Sequence, residues 1–128
     1  MKRRQSKDIV EAIEIVADTQ RVFGALSEAL LGNHEDECVF RDLRRDIEVR
    51  FRVEGIGPAG LILACTSQQR GTGWVGTRVQ IALDATRTGT RVALTHTGVP
   101  AHAYPMCRDG WLVFLDVVAA IGEEEFAA

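Results

Sequence analysis

The sequence has no long apolar run, no strong excess of charge of either sign and no closely spaced cysteine pair. With 128 residues and a formal net charge of -3, it shows no basic footprint of a nucleic-acid-binding protein. A membrane helix needs about 20 consecutive apolar residues, so we expect no membrane span. Cys38, Cys65 and Cys107 form no C-x-x-C motif, which is typical of reduced thiols in a cytoplasmic protein. Glu11 and Glu14 interrupt any signal-peptide core after the basic N-terminus.

Recognisable catalytic motifs are also missing. There is no G-x-S-x-G nucleophile elbow, and no paired carboxylates stand out on an apolar face. His34, Glu35, Asp36, Glu37 and Cys38 form a cluster that could suggest a metal. A zinc site usually has about four ligands, with paired Cys or His on fixed turns. This cluster has one His and one Cys, so we interpret it as a solvated loop. We therefore predict no catalytic residues, no metal and no cofactor.

Residues 71–76, GTGWVG, match the G-x-G-x-x-G spacing of dinucleotide-binding loops. That fingerprint requires a helix to follow the glycines, so that its N-terminus meets the pyrophosphate. Here at least eight residues of alternating pattern follow instead, with Thr77, Val79 and Ile81 in one phase. We interpret the glycines as parts of a β-hairpin, with Gly76 at a bulge or close approach.

Apolar residues alternate with polar residues over most of the chain, which predicts strands at 8–17, 45–55, 61–69, 74–84 and 89–97. Residues 20–31 have helical spacing, and Asp18 or Thr19 can cap them. Gly24 and Ser27 in this stretch favour two short helices meeting at an angle.

A long C-terminal helix is predicted from Pro105 to about Phe126, because the apolar period returns to 3.6 there. It carries one apolar stripe of Cys107, Trp111, Phe114, Val118 and Ile121. Val113, Val117 and Ala120 form a second stripe roughly opposite, which needs a partner of its own. Clustered strands without alternating helices predict a single α+β domain over residues 1–128, with a twisted antiparallel sheet around the last helix.

Four segments carry a resemblance to a known family: 13-IEIVADTQRVFGALSEALL-31, 74-WVGTRVQIAL-83, 89-GTRVALTHTGVP-100 and 110-GWLVFLDVVAAIGE-123. Together they resemble the START-like helix-grip superfamily (SRPBCC), in the branch named after the C-terminal domain of the activator of the 90-kDa heat-shock chaperone ATPase. Residues 32–45 lack the tryptophan-rich segment of many members. The resemblance implies a hydrophobic cavity between the sheet and the C-terminal helix, often with no catalytic residues.

His96 is the sharpest polar candidate, since it follows Val92 and Leu94 in phase and should point inward. It could orient a ligand or act as an acid-base group, but a histidine hydrogen-bonded at the helix–sheet junction is the favoured interpretation. Trp74 is equally consistent with a cavity rim and with an outer surface. The predicted ligand-binding residues are Phe51, Cys65, Thr77, Val79, Leu94, His96, Tyr104, Trp111 and Phe114.

Three functions compete at this point. The first is binding of a small hydrophobic or lipid-like molecule in the cavity, without catalysis. The second is a protein-interaction module related to chaperone ATPase activators, or a homodimer, through the outer helix face with Val113 and Val117. The third, which has the least support, is a cyclase or isomerase with His96 as its acid-base group.

Overall fold

The computed structural model describes residues 6–30, 37–42, 47–57, 59–68 and 76–127. Their elements follow one another as β1 (Ser6–Ile15), α1 (Thr19–Leu30), β2 (Glu37–Asp42), β3 (Ile47–Gly57), β4 (Gly60–Gln68), β5 (Arg78–Ala85), β6 (Thr90–Pro100), a 3-10 turn (Ala101–Ala103) and α2 (Tyr104–Ala127). The α+β fold class predicted from the sequence is confirmed.

Within the described residues, the sheet has six strands in the order β1-β6-β5-β4-β3-β2, and every neighbouring pair is antiparallel. Strands β2 to β6 follow the chain as a meander, and β1 closes the other edge beside β6. Because β4 and β5 are antiparallel neighbours, the glycine-rich stretch between them joins two strands. A dinucleotide-binding loop would need a helix after the glycines, whereas strand β5 follows them here. The structure therefore agrees with the β-hairpin predicted from the sequence.

One face of the sheet, the buried stripe of α2 and the buried face of α1 form the core. The predicted alternation is confirmed in β5 and β6, where every second residue from Val79 to Leu83 and from Thr90 to His96 is buried. On α2, four residues of the predicted stripe are buried and Ile121 packs against them at the edge: Cys107, Trp111, Phe114 and Val118. The predicted second stripe, with Val113 and Val117, lies on the solvent side.

The two short helices predicted after the first strand are wrong, because residues 19–30 form one continuous helix. Asp18 caps it as predicted, since its carboxylate accepts a hydrogen bond of 2.8 Å from the Arg21 amide. Gly24 lies on the exposed side, with nothing within 4 Å of the position of a Cβ. A glycine there costs only about 1 kcal/mol, which the burial of Val22 and Leu26 outweighs.

The sequence pattern does not predict strand β2, because it places residues 34–38 in a loop and begins the next strand only at residue 45; the loop assignment is wrong for Glu37 and Cys38. Glu37 and Cys38 lie in this strand, where Cys38 pairs with Phe51 of β3. A six-residue strand with charged ends carries too little alternation to be recognised alone. Its partner β3 provides the hydrogen bonds that define it.

Candidate functional site

His96 of β6 lies at the centre of the interface between the sheet and α2, and it is fully buried. The indole N–H of Trp111 donates a hydrogen bond of 2.9 Å to its Nδ1. Its Nε2 lies 2.7 Å from the hydroxyl oxygen of Thr77. These three side chains, Thr77, His96 and Trp111, are called the polar triad below. The triad joins α2 to the middle of the sheet.

The indole fixes the protonation state of His96. An indole N–H can only donate, so Nδ1 must accept and carries no proton. The proton of the neutral ring is therefore on Nε2, from which it is donated to the Thr77 oxygen. Both ring nitrogens are thus engaged in holding the fold, as the favoured interpretation of this residue predicted. The two partners lie on α2 and just before β5.

Burial is the main cause of the low basicity of His96. Desolvation lowers the pKa of its imidazole from 6.5 to about 4, and the negative charge of Asp8 opposes this only weakly. His96 is therefore neutral at neutral pH, in agreement with its hydrogen bonds. A neutral ring with both nitrogens bonded is poorly placed to take a proton from a substrate.

A β-bulge positions Thr77. The amide of Gly76 donates to the Cys65 carbonyl, and the Cys65 amide donates to the Thr77 carbonyl, so two residues oppose one. Gly76 has a φ of 87°, which is the left-handed conformation of a glycine at the first position of such a bulge. The bulge predicted at Gly76 is confirmed. It turns the Thr77 side chain inward to His96.

Aromatic rings surround the triad. The Trp111 ring centroid lies 5.4 Å from that of Phe114, at 84° between the planes, and 6.1 Å from that of Phe51. The Trp111 and His96 rings meet edge to face at 5.9 Å. The most extensive backbone contacts of α2 are with α1 and β1. Over β3, side chains therefore bridge the space between helix and sheet.

The structure brings the predicted binding residues together on this inner face. Strand register places Phe51 opposite Cys65, Val79 opposite His96, and Leu94 opposite Ile81. The predicted residues on the sheet and the two α2 residues after its first turn are at most 7% exposed: Phe51, Cys65, Thr77, Val79, Leu94, His96, Trp111 and Phe114. Among these eight residues, the side chains outside the polar triad are hydrocarbon groups and the thiol of Cys65.

Tyr104 lies at the rim of this layer, half-buried at the start of α2. The ammonium of Lys7 stands 5.2 Å from the centroid of its ring. Sequence reasoning did not identify Lys7, because nothing in the spacing of two residues so far apart indicates that they meet. The nearby Arg108 binds Glu11 at 2.7 Å, so β1 and the first turns of α2 are joined by charged contacts.

Among the described residues, three surface pockets lie away from the predicted binding residues. One of about 290 Å³ lies at the β3–β4 turn and on the outer sheet face beside Ile62. A second of about 330 Å³ lies between α1 and α2, and a third of about 270 Å³ lies beside the β5–β6 turn.

Among the residues that the structure describes, no group of three or more His, Cys, Asp or Glu could hold a metal ion. Within the same residues, no helix is both long and apolar enough to cross a membrane. Trp74 and the cluster residues His34, Glu35 and Asp36 lie outside the described part of the chain. Their predicted roles remain predictions.

No known family profile and no curated protein matches the sequence. The fold is nevertheless similar to that of solved structures. The Aha1 dimer from Colwellia psychrerythraea matches with a TM-score of 0.70 and 19% identity over 89% of this chain and 94% of that one. The protein MLL2253 from Mesorhizobium loti matches with a TM-score of 0.73 and 16% identity over 92% and 98%.

An AHSA1-like protein from Aeromonas hydrophila matches with a TM-score of 0.67 and 14% identity over 95% of this chain and 96% of that one. At such identities the likeness concerns the arrangement of strands and helices. The resemblance found in the sequence segments predicted the same arrangement. The chain therefore has the helix-grip fold of Aha1-like proteins.

Proposed function

We propose that this protein is a non-catalytic binding module, which holds a small apolar molecule between the antiparallel sheet and α2. The observation that carries the proposal is the bridging of helix and sheet by aromatic side chains over β3. A ligand that enters this layer would replace ring contacts that Phe51 and Phe114 make with Trp111. Binding sites for small molecules are typically apolar with few placed polar groups, as this layer is.

The state of His96 favours binding over catalysis. A general acid or base needs a proton that it can exchange with a substrate, and a pKa near the working pH. His96 has a pKa of about 4, and its nitrogens already bond Trp111 and Thr77. The enzyme hypothesis would require this triad to open before any chemistry. The binding proposal leaves it intact as a polar anchor.

The test uses Trp111 as the reporter. The chain has two tryptophans, so the Trp74→Phe variant leaves Trp111 as the single source of indole fluorescence. Pyrene is uncharged, and its absorption overlaps tryptophan emission, so binding beside Trp111 should quench the emission saturably. Absence of saturable quenching would contradict the proposal.

Steric blocking locates the bound probe. Cys65→Phe places a ring in the inner layer, whereas Thr66→Phe places the same ring on the exposed outer face of the same strand. We expect Cys65→Phe to weaken pyrene binding about ten-fold or more, equivalent to about 1.4 kcal/mol, and Thr66→Phe to leave it within about two-fold. Circular dichroism checks that both variants fold. Equal affinities would place the probe elsewhere.

A second candidate function is association through the outer face of α2. Val113 and Val117 are 42% and 47% exposed, one turn apart on a helix whose opposite face is buried. Ala120 extends the same stripe. The Colwellia psychrerythraea neighbour is described as a dimer, and a two-fold contact between such stripes would cover both. A homodimer through this face is the form that the candidate takes.

The prediction for this candidate concerns oligomeric mass. A wild-type dimer should dissociate into monomers when Val113 and Val117 are both changed to Glu, since the two-fold contact would then bring like charges together. Light scattering after size-exclusion chromatography measures the mass. Val10→Glu is the matched control, because Val10 is 66% exposed on β1, away from this helix face. A monomeric wild type, or a dimer that survives the double change, would contradict the candidate.

A further inference from the structure

We propose that the molecule held between the sheet and α2 is uncharged, so that the site selects alcohols, esters, ketones or hydrocarbons against carboxylates. This inference rests on the proposed function and specifies its ligand class. None of the described buried residues of the inner layer is a lysine or an arginine that could neutralise an enclosed anion. Three observations support it: the side of the sheet on which the arginines lie, the buried polar set, and the bonding of His96.

The first observation is that strand alternation directs the arginines near the site to the outer face. Arg50 and Arg52 flank Phe51 on β3, and their side chains are 51% and 65% exposed. Arg78 lies between Thr77 and Val79, and its side chain is 68% exposed. Since adjacent residues of a strand point to opposite faces, these cations lie across the sheet from the lining.

All three arginines also have carboxylate partners on the outer face. Arg52 and Arg78 both bind Glu54, at 3.1 and 3.3 Å, and Arg50 lies 3.6 Å from Glu48. For one of these three arginines to neutralise a ligand carboxylate inside the layer, it would have to leave its partner and pass through the sheet. Such a rearrangement would also bury a long charged side chain.

The second observation is the composition of the buried polar set. Among the described residues it consists of Thr77, Thr90 and His96, with no lysine or arginine. The hydroxyl of Thr90 donates to the Ala17 carbonyl, away from the triad. A carboxylate enclosed here would lose its hydration without gaining a cation, which would cost a large part of its binding energy.

The third observation is that His96 cannot become a cation for the ligand while its hydrogen bonds to Thr77 and Trp111 are intact. A proton on Nδ1 would point at the indole N–H of Trp111, so two donors would face each other. The imidazolium would therefore have to break the bond that joins β6 to α2. Burial lowers the pKa of the ring to about 4, in agreement with this geometry.

Lys7 is a described cation at the rim of the predicted lining, through its position over the Tyr104 ring. It is exposed, so its ammonium could meet a carboxylate only at the rim, outside the enclosed layer. A rim-bound carboxylate is therefore the alternative that an experiment must separate. The Lys7→Gln variant removes this cation while keeping a side chain of similar length.

The experiment compares three probes with the same hydrocarbon chain: palmitate, methyl palmitate and cetyl alcohol. Each competes with pyrene for the Trp74→Phe protein at neutral pH, below the concentration at which the probe aggregates. We expect the ester and the alcohol to displace pyrene at concentrations at least ten-fold lower than palmitate does, and Lys7→Gln to change none of the three. Cys65→Lys, which adds an ammonium to the lining, should reduce the preference, whereas Thr66→Lys on the outer face should not.

The outcomes separate this inference from the proposed function. Palmitate displacing pyrene as well as its ester would overturn the inference and leave the binding function standing. A palmitate affinity that falls about ten-fold in Lys7→Gln would also overturn it, because the rim cation would then neutralise the ligand. If pyrene itself does not bind to the wild-type lining, the binding function fails and the inference fails with it.

Discussion

Replacement of Trp111 by alanine is expected to destabilise the fold by about 3–5 kcal/mol. The indole is fully buried, donates to His96, and contacts the rings of Phe51 and Phe114. A domain of this kind has a total stability of about 5–15 kcal/mol, so the variant would lose a large share of it. Urea denaturation followed by circular dichroism measures the change.

A second substitution separates the hydrogen bond from the packing. Trp111→Phe keeps an aromatic ring but removes the N–H, which takes away the donor to His96 Nδ1 and should cost about 1–3 kcal/mol from that loss. Val113→Ala is the control on the exposed face of the same helix and should change stability by about 0.5 kcal/mol or less. A Trp111→Ala cost close to that of the control would show that Trp111 is not the centre of the core.

Acidification is expected to destabilise the wild-type protein through His96. Its folded pKa of about 4 lies below the unfolded value of 6.5, so between these pH values the unfolded chain binds more protons. The stability from the neutral ring is fully present above pH 6.5 and is lost as the pH falls to about 4. The difference between the two pKa values corresponds to about 3 kcal/mol, measured by urea denaturation across this range.

The control for this pH dependence is His96→Asn, which keeps an oxygen able to accept from Trp111 but cannot titrate. It is expected to be less stable than wild type at neutral pH, and the difference should shrink as the pH falls. Titration of Glu14 does not account for a loss of stability between pH 6.5 and about 4. Hydroxyls of Thr88 and Thr86 lower the pKa of its carboxyl below 4.5, so its contribution is lost only in more acidic solution. Parallel pH profiles of wild type and variant would contradict the account of His96.

Much of the fold could be predicted because burial imposes a period on the sequence. Strands β5 and β6 each have one solvent-exposed face and one buried face. The two-residue alternation of the sequence therefore predicts that Val79, Leu94 and His96 point to the buried face. The long helix showed its buried stripe in the same way through Trp111 and Phe114. These patterns are local, and they placed His96 on the inner face before its partners were known.

The remaining features depend on contacts between distant parts of the chain. The bonds of His96 join it to Thr77 and Trp111, which are 19 and 15 residues away, and no spacing rule predicts them. Strand β2 needs β3 beside it, and α1 stays whole because its buried face outweighs the weak propensity of Gly24. The shared inward phase of Thr77 and His96, with a tryptophan on the helix stripe, is the signal that could have suggested the triad.

Native mass spectrometry of freshly purified protein, compared with a denatured sample, tests the central claim most directly. If the layer between the sheet and α2 holds a molecule, the native spectrum should contain an added mass that disappears on denaturation. If the site selects uncharged ligands, the released molecule should also be neutral. A native mass equal to that of the bare chain, together with no saturable quenching of Trp111 by pyrene, would contradict the binding function and favour association through Val113 and Val117.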